Sequence, residues 1–110
     1  MNHLLVTICN NGFADEVMEV AKSAGARGGT ILHARGSAED NPLQFLGITI
    51  EPEKDVIIII VDDETKNNIM QSIATKLGVG TKAHSITFSL PVDGLVGINL
   101  GKGETENGTN

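Results

Sequence analysis

The sequence predicts an α+β fold whose elements follow one another in the order β-α-β-β-α-β. Residues 4–9 and 56–61 are runs of aliphatic side chains, as expected for strands in the middle of a sheet. Residues 13–24 and 64–77 instead place their apolar side chains on one face of a helix. A chain of 110 residues is long enough for one packed core, so we expect one domain over residues 1–100.

The first helix lies between two turn signals. Asn10-Asn11-Gly12 follows the strand over residues 4–9, and Asn11 is predicted to cap the helix because asparagine often accepts a bond from the first turn. Three glycines between residues 25 and 29 are predicted to end the helix with backbone of positive φ. Residues 30–35 then form the second strand, which Gly36 ends.

A long polar segment follows Gly36 and ends in the apolar side chains of Leu43, Phe45 and Leu46. Two interpretations stay open here: the apolar tip contacts a partner protein, or it folds back onto the core. Residues 48–51 are predicted to begin the third strand, with Pro52 at an edge or bend. Residues 56–61 continue that strand.

The second helix is predicted to start at an acidic cap, Asp62-Asp63-Glu64, and we favour a cap over a cation site there. A glycine-containing loop over residues 78–85 leads to a fourth strand over residues 85–90. A turn over residues 91–94 and a short extra strand over residues 95–100 complete the domain. The tail, residues 101–110, is rich in Gly, Asn, Thr and Glu and is predicted to be disordered.

This order is that of the ferredoxin-like sandwich, an antiparallel sheet with two helices on one face. In that topology the strands over residues 4–9 and 56–61 are central. Two helices cover only one face of the sheet, yet residues 56–61 are apolar on both faces. We therefore expect an oligomer that buries the other face.

Composition excludes several classes of function. The formal net charge is −6, and the three aromatic residues are all Phe, so we expect no nucleic-acid partner. The single cysteine fits a reducing interior, no secretory leader is expected, and no apolar run is long enough to span a membrane, so we expect a cytoplasmic protein. No nucleophile or acid–base pattern indicates an enzyme, and no obligatory cofactor is expected. The three histidines show no paired spacing for a metal.

Several segments taken in order resemble the PII signal-transduction superfamily. They are Gly25-Ala-Arg-Gly-Gly-Thr30, a strand ending Arg35-Gly36, the run over residues 56–64, and Ile86-Thr-Phe-Ser-Leu-Pro-Val92. The resemblance spans residues 3–100. It implies a homotrimer that binds adenine nucleotides between subunits and regulates an enzyme or membrane transporter through a mobile T-loop, here residues 36–53, in nitrogen or carbon/energy metabolism.

The resemblance also implies which residues bind nucleotide and which contact the partner. Nucleotide contacts fall on the end of the second strand and the start of the T-loop, and on the B-loop over residues 78–85. The partner contacts fall on the apolar tip. The nucleotide-binding set is Thr30, Arg35, Gly36, Ser37, Gly80, Lys82, His84 and Ser85; the partner-binding set is Leu43, Phe45 and Leu46.

Two histidines and two arginines have competing interpretations. His84 is either a ligand-binding residue beside Lys82 or an ordinary loop residue. His33 is expected to be a packed or interface histidine rather than a metal ligand. Arg35 is a stronger anion-binding candidate than Arg27, because it directly precedes Gly36.

The chain also departs from the family pattern. Where the B-loop usually reads Gly-Asp-Gly-Lys, this chain has Ala83-His-Ser-Ile86, and two phosphate-clamping arginines align with Gly97 and Asn99. The T-loop has no tyrosine, so no uridylylation site is expected there. The effector is thus open among ATP, ADP, AMP, another anion and none at all. The alternative function is a trimeric metal-binding or metal-tolerance protein of similar fold, which would need clusters of His or carboxylate groups.

Overall fold

The computed structural model describes residues 1–36, 43–45, 48–50 and 52–97. Four strands form one antiparallel sheet in the order β2-β5-β1-β6, and two short strands form a separate pair. The elements are β1 (Asn2–Asn10), α1 (Ala14–Ser23), β2 (Thr30–Arg35), β3 (Leu43–Phe45), β4 (Ile48–Ile50), β5 (Glu53–Asp62), α2 (Asp63–Leu77) and β6 (Ile86–Val92).

The four-stranded sheet has the predicted ferredoxin-like arrangement. The two most apolar strands, β1 and β5, are central, and they pair antiparallel with Leu5 opposite Ile59. β2 pairs with β5 and β6 pairs with β1, so β2 and β6 are the edge strands. Predicted element order and predicted central strands are both confirmed.

Both helices pack on one face of this sheet, and the core lies between them. Alternate residues of β1 and β5 point toward the helices, so every second position is buried. Burying one such aliphatic side chain contributes about 1.5–3 kcal/mol. The large side chains without exposure, or nearly so, are Leu5, Ile57, Ile59, Ile69, Ile73 and Val17.

The glycine segment after α1 ends the helix as predicted. Gly25 has φ +121°, its N–H donates to Lys22 O (3.1 Å), and the Ala26 N–H donates to Ala21 O (2.9 Å). This pair of bonds is the Schellman motif, which satisfies carbonyls at the helix end. Gly29 has another role: a Cβ there would lie 2.7 Å from Ile58 O, so only glycine lets β2 start this close to β5.

The other face of the sheet is apolar and has no helix on it in the described chain. The register places side chains of all four strands there in rows, with Leu4 between Ile60 and Leu90, and Val6 between Ile58 and Phe88. We call this surface the open face. Its members are Leu4, Val6, Ile8, Thr30, Leu32, Val56, Ile58, Ile60, Ile86, Phe88 and Leu90.

Three sequence predictions need correction or limits. Asn11 does not cap α1; its Nδ2 donates to Asp55 Oδ1 (3.2 Å), and the N-cap residue is Phe13, without a side-chain cap bond. Residues 48–51 do not begin the third strand: Ile48–Ile50 form β4, which pairs with β3 in a hairpin that was not predicted, and the strand over residues 56–61 begins at Glu53. Residues 95–97 are not in a strand, and residues 98–110 lie outside the described chain.

Neither helix in the described ranges is both long enough and apolar enough to cross a membrane.

Candidate functional site

Four strand ends meet at one end of the sheet. β1 ends at Asn10, which pairs with Lys54 near the start of β5, and β2 ends at Arg35, opposite Glu53. β6 begins at Ile86, opposite Ile8 of β1. We call this the loop end, because the segment after Gly36 and the loop over residues 78–85 both attach to the sheet there.

The loop over residues 78–85 is a compact turn held by its own hydrogen bonds. Thr81 donates to Gly78 O from both its backbone N–H (3.1 Å) and its hydroxyl (2.7 Å), and the His84 N–H donates to Thr81 Oγ1 (3.3 Å). The Ser85 N–H donates to Leu77 O (2.9 Å). The Gly78 N–H donates to Ala74 O (3.2 Å), so four loop amides are already engaged and an anion cradled by this backbone would use the remaining ones.

Backbone geometry explains the glycines of this loop. Gly80 has φ +92°, a left-handed conformation that glycine adopts without strain. A Cβ on Gly78 would collide with Ala74 O, so a larger residue would push the loop off the end of α2. His84 has φ +47°, which is uncommon for a residue with a side chain and is a conformation often found at functional sites.

The predicted nucleotide-binding residues do not all lie together in one subunit. Arg35, Gly36, Gly80, Lys82 and His84 are at the loop end, where the Arg35 and Lys82 side chains have no hydrogen-bond or ion-pair partner among described residues.

Thr30 starts β2, so it lies about 17 Å along the strand from Arg35, at ~3.3 Å per residue. Ser37 and Leu46 lie outside the described residues. Leu43 and Phe45 are in β3, and their role in partner binding stays a prediction.

Ser85 is buried rather than presented to a surface ligand. Its side chain is 6% exposed, and Ser85 Oγ has no hydrogen-bond partner among the described residues. It lines a shallow groove of about 350 Å³ between α2 and β6, together with Asn67, Met70, Gln71, Ala74 and Thr87. A ligand at the loop end would therefore not reach this hydroxyl without movement of the loop.

Two residues that the sequence did not single out connect the two predicted walls of the site. Lys54 Nζ donates to Asn10 Oδ1 (2.8 Å), and Asn10 Nδ2 donates to Lys82 O (2.9 Å). The Asn10 backbone N–H donates to Ala83 O (2.9 Å). Only the strand register, which sets Asn10 opposite Lys54, could have revealed this connection.

A buried carboxylate lies at the same end, on the helix-covered face. Asp55 is 2% exposed and accepts hydrogen bonds from Gly12 N (2.9 Å), Asn11 Nδ2 (3.2 Å) and His33 Nδ1 (3.0 Å). Burial would raise the pKa of this carboxyl, but the bonds from Gly12, His33 and Ala14 outweigh it and hold the pKa below its usual value. Asp55 is therefore a charged structural group.

The Asp55 carboxylate affects both of its neighbours His33 and Cys9. The His33 side chain is 80% exposed and bonded to Asp55, so it is not packed inside the subunit; an interface role stays a prediction. Cys9 is buried, and burial together with the Asp55 charge raises the pKa of its thiol to about 11. Within the described residues, no three His, Cys, Asp or Glu side chains are placed to hold a metal ion.

Comparison with known proteins identifies the fold. No protein-family model matches the sequence, and no curated protein matches it either. Among solved structures, the chain is similar to a protein from Thermus thermophilus described as a PII-like signaling protein. The two have a TM-score of 0.61 and 20% sequence identity, and the match covers 81% of this chain and 84% of that one. The chain thus has the fold of a PII-like signaling protein, as its resemblance to that superfamily implied.

Proposed function

We propose that the chain is a PII-like signal-transduction protein, a homotrimer that binds a small anionic effector between subunits. It regulates a partner enzyme or membrane transporter through the T-loop, residues 36–53, and is not itself an enzyme. The single observation that carries this proposal is the open face, which ends at the loop end, where cations, Gly36 and the loop over residues 78–85 lie. With an adenine nucleotide as effector, the protein would report the nitrogen, carbon or energy status of the cell.

The open face supports self-association. Ile86, Phe88, Leu90 and Leu32 on this face are 61%, 42%, 45% and 46% exposed in the isolated subunit. Their neighbours in the register are aliphatic, so the exposed surface is continuous across all four strands. Contiguous apolar surface of this kind marks an interaction site, and an assembly of identical subunits would remove it from water.

The loop end supports binding of an anion. Arg35, Lys54 and Lys82 bring three cations to one end of a chain whose net charge is −6. Ordinary charged hydrogen bonds to phosphate contribute about 1.5–3 kcal/mol each. Ile8 and Val56, at the loop-end edge of the open face, lie next to Lys54 in the register and offer a surface for a purine ring.

The assembly is tested by native mass spectrometry at micromolar concentration, with trimer as the expected species. Phe88→Glu places a carboxylate on the open face and should give monomer, because burying an unpaired charge is unfavourable. Thr75→Glu makes the same change of charge at an exposed position of α2, which covers the opposite face of the sheet, and should stay trimeric. A wild-type protein that is monomeric or dimeric would contradict the trimer.

The effector is tested by calorimetry with ATP, ADP, AMP and cyclic nucleotides. Arg35→Ala and Lys82→Ala should each weaken binding about tenfold or more, since each removes a cation from the loop end. Lys22→Ala, in the last turn of α1 at the other end of the sheet, is the control for lost charge. Unchanged isotherms for Arg35→Ala and Lys82→Ala would contradict this assignment of residues.

The trimeric metal-binding alternative predicts a different response. Thermal stabilisation by divalent ions alone, with none by nucleotides, would favour it over the nucleotide-responsive regulator. No group of described side chains specifically supports it.

A further inference from the structure

We propose that Lys54 is the cation that binds the phosphoryl group of the effector, and that Asn10 positions its ammonium for this role. The inference rests on the proposed function, since it names a residue of the same site. It extends that site to a residue which neither the sequence motifs nor the fold comparison assigned.

The Lys54 ammonium is held in place by a neutral partner. Its Nζ donates to Asn10 Oδ1 at 2.8 Å, and an ammonium has three N–H donors, so the described residues leave two for a ligand. Among the described residues no carboxylate forms an ion pair with it. Because a neutral amide already orders this long side chain, binding an anion loses less side-chain entropy than it would at a free surface lysine.

Lys54 also lies between the loop over residues 78–85 and Gly36, both of which belong to the proposed site. Asn10, its hydrogen-bond partner, holds the carbonyls of Lys82 and Ala83 from the loop over residues 78–85. On the other side, a Cβ placed on Gly36 would lie 3.2 Å from Lys54 Cγ. The lysine stem therefore packs against the first residue of the T-loop, and glycine at position 36 leaves room for it.

The surface beside this ammonium is apolar. Val56 lies two residues after Lys54 on β5, and Ile8 lies two residues before Asn10 on β1. Ile8 and Val56 oppose each other and share the open face with Asn10 and Lys54. Ile86 continues the row on β6. A cation at the edge of an aliphatic floor fits a ligand with a flat apolar ring and an attached anion, which is the chemistry of a nucleotide.

The experiment compares Lys54→Met with wild-type protein by calorimetry, using AMP, ATP, adenosine and inorganic phosphate as probes. Methionine keeps most of the stem that packs against Gly36 and removes the charge. We expect AMP and ATP to bind about tenfold to hundredfold more weakly, the usual effect of losing a charged hydrogen bond. Binding of adenosine, which has no phosphoryl group, should be unchanged.

Lys22→Met is the matched control, because it changes net charge equally at the opposite end of the sheet and should leave all four titrations unchanged. If Lys54→Met does not fold, Lys54→Gln removes the same charge with a polar side chain. Raising the salt concentration should also weaken nucleotide binding more in wild-type protein than in the folded variant.

The outcomes separate this inference from the proposed function. If the wild-type protein binds nucleotide and the folded Lys54 variant binds it with a dissociation constant within twofold of the wild-type value, the role of Lys54 is overturned. The proposed function then still stands. Failure of wild-type protein to bind any nucleotide or phosphate would overturn both. An equal loss of adenosine and AMP binding would also overturn it, because the lysine would then act on the shape of the site rather than on the phosphoryl group.

Discussion

The two helices of this protein begin in different ways. α2 is capped locally: Asp62 Oδ1 accepts hydrogen bonds from the backbone N–H and the hydroxyl of Thr65, both at 3.0 Å. α1 has no such local cap. Its first residue, Ala14, and the preceding Gly12 both donate backbone N–H groups to Asp55, a residue of β5 that lies 43 positions beyond Gly12. Each carboxylate interacts favourably with the positive end of a helix dipole. Asp62 is next to its helix in sequence, whereas Asp55 reaches α1 only through the tertiary fold.

This difference teaches where each helix obtains its stability. The start of α2 can form as soon as its own residues meet. The start of α1 is complete only after β5 has paired with β1 and brought Asp55 beneath residues 11–14. Asp55 also accepts a bond from His33 of β2, so one carboxylate joins α1, β5 and β2. We therefore expect its loss to cost far more than the loss of Asp62.

The largest effect expected is that of Asp55→Ala, a loss of about 3 kcal/mol in the free energy of unfolding. About 1–2 kcal/mol comes from the lost helix cap, and a similar amount comes from N–H groups left without an acceptor in a buried place. Urea unfolding followed by circular dichroism measures it, at one protein concentration for all variants.

Glu53→Ala is the control for Asp55→Ala. It removes a carboxylate from an exposed position of the same strand and should change stability by less than about 0.5 kcal/mol. If Asp55→Ala and Glu53→Ala unfold at the same urea concentration, the carboxylate of Asp55 does not stabilise α1 as described.

The next effect is a dependence of this contribution on pH. The folded-state pKa of Asp55 lies below the ordinary value of 3.8, so the charged form stabilises the folded protein. The stabilisation is complete well above pH 3.8 and is lost as pH falls through the folded-state pKa. The difference in unfolding free energy between wild-type protein and Asp55→Ala should thus be larger at about pH 5 than at about pH 3, with the decrease occurring below about pH 4.

Unfolding of both proteins in urea across this pH range measures the effect. Asp63 does not disturb the comparison: hydrogen bonds from His3 and the N-terminal ammonium lower its pKa in both proteins, so its contribution cancels in the difference. A difference that stays constant down to about pH 2.5 would mean that the charge of Asp55 is not what stabilises α1.

The smallest effect expected is that of Asp62→Ala, about 1 kcal/mol, the usual cost of removing a local N-cap. In this variant the backbone N–H and the hydroxyl of Thr65 lose the oxygen that accepts both of their hydrogen bonds. Because Asp62 is only half-buried, water replaces much of both bonds. The same urea experiment measures it. Equal costs for Asp62→Ala and Asp55→Ala would remove the distinction between a local and a tertiary cap.

Much of the fold could be predicted because its signals are local. The aliphatic runs of β1 and β5, the helical pattern of α1 and α2, the cap at Asp62 and the positive φ at Gly25 all involve residues close in sequence. The apolar character of residues 56–61 on both faces also indicated the open face. The cap of α1 was assigned to Asn11 because sequence alone favours the nearest suitable side chain over one that a distant strand supplies.

The candidate site was less predictable, because register rather than motif forms it. Lys54 follows Pro52 and Glu53 in a stretch without any pattern, and Asn10 was assigned only to a turn. Their contact depends on the antiparallel pairing of β1 with β5. Ser85 shows the reverse case: its motif position suggests a ligand contact, whereas its place between Leu77 and β6 buries it in the subunit, so its role in binding stays a prediction.

The buried thiol of Cys9 has a practical consequence. It is 1% exposed, and with a pKa of about 11 it is a thiolate in only on the order of one molecule in ten thousand at pH 7. A thiol reagent therefore reacts with it essentially only when the strand end near Asp55 opens. The labelling rate of this single native cysteine would then report how often that end of the sheet opens, without any introduced probe.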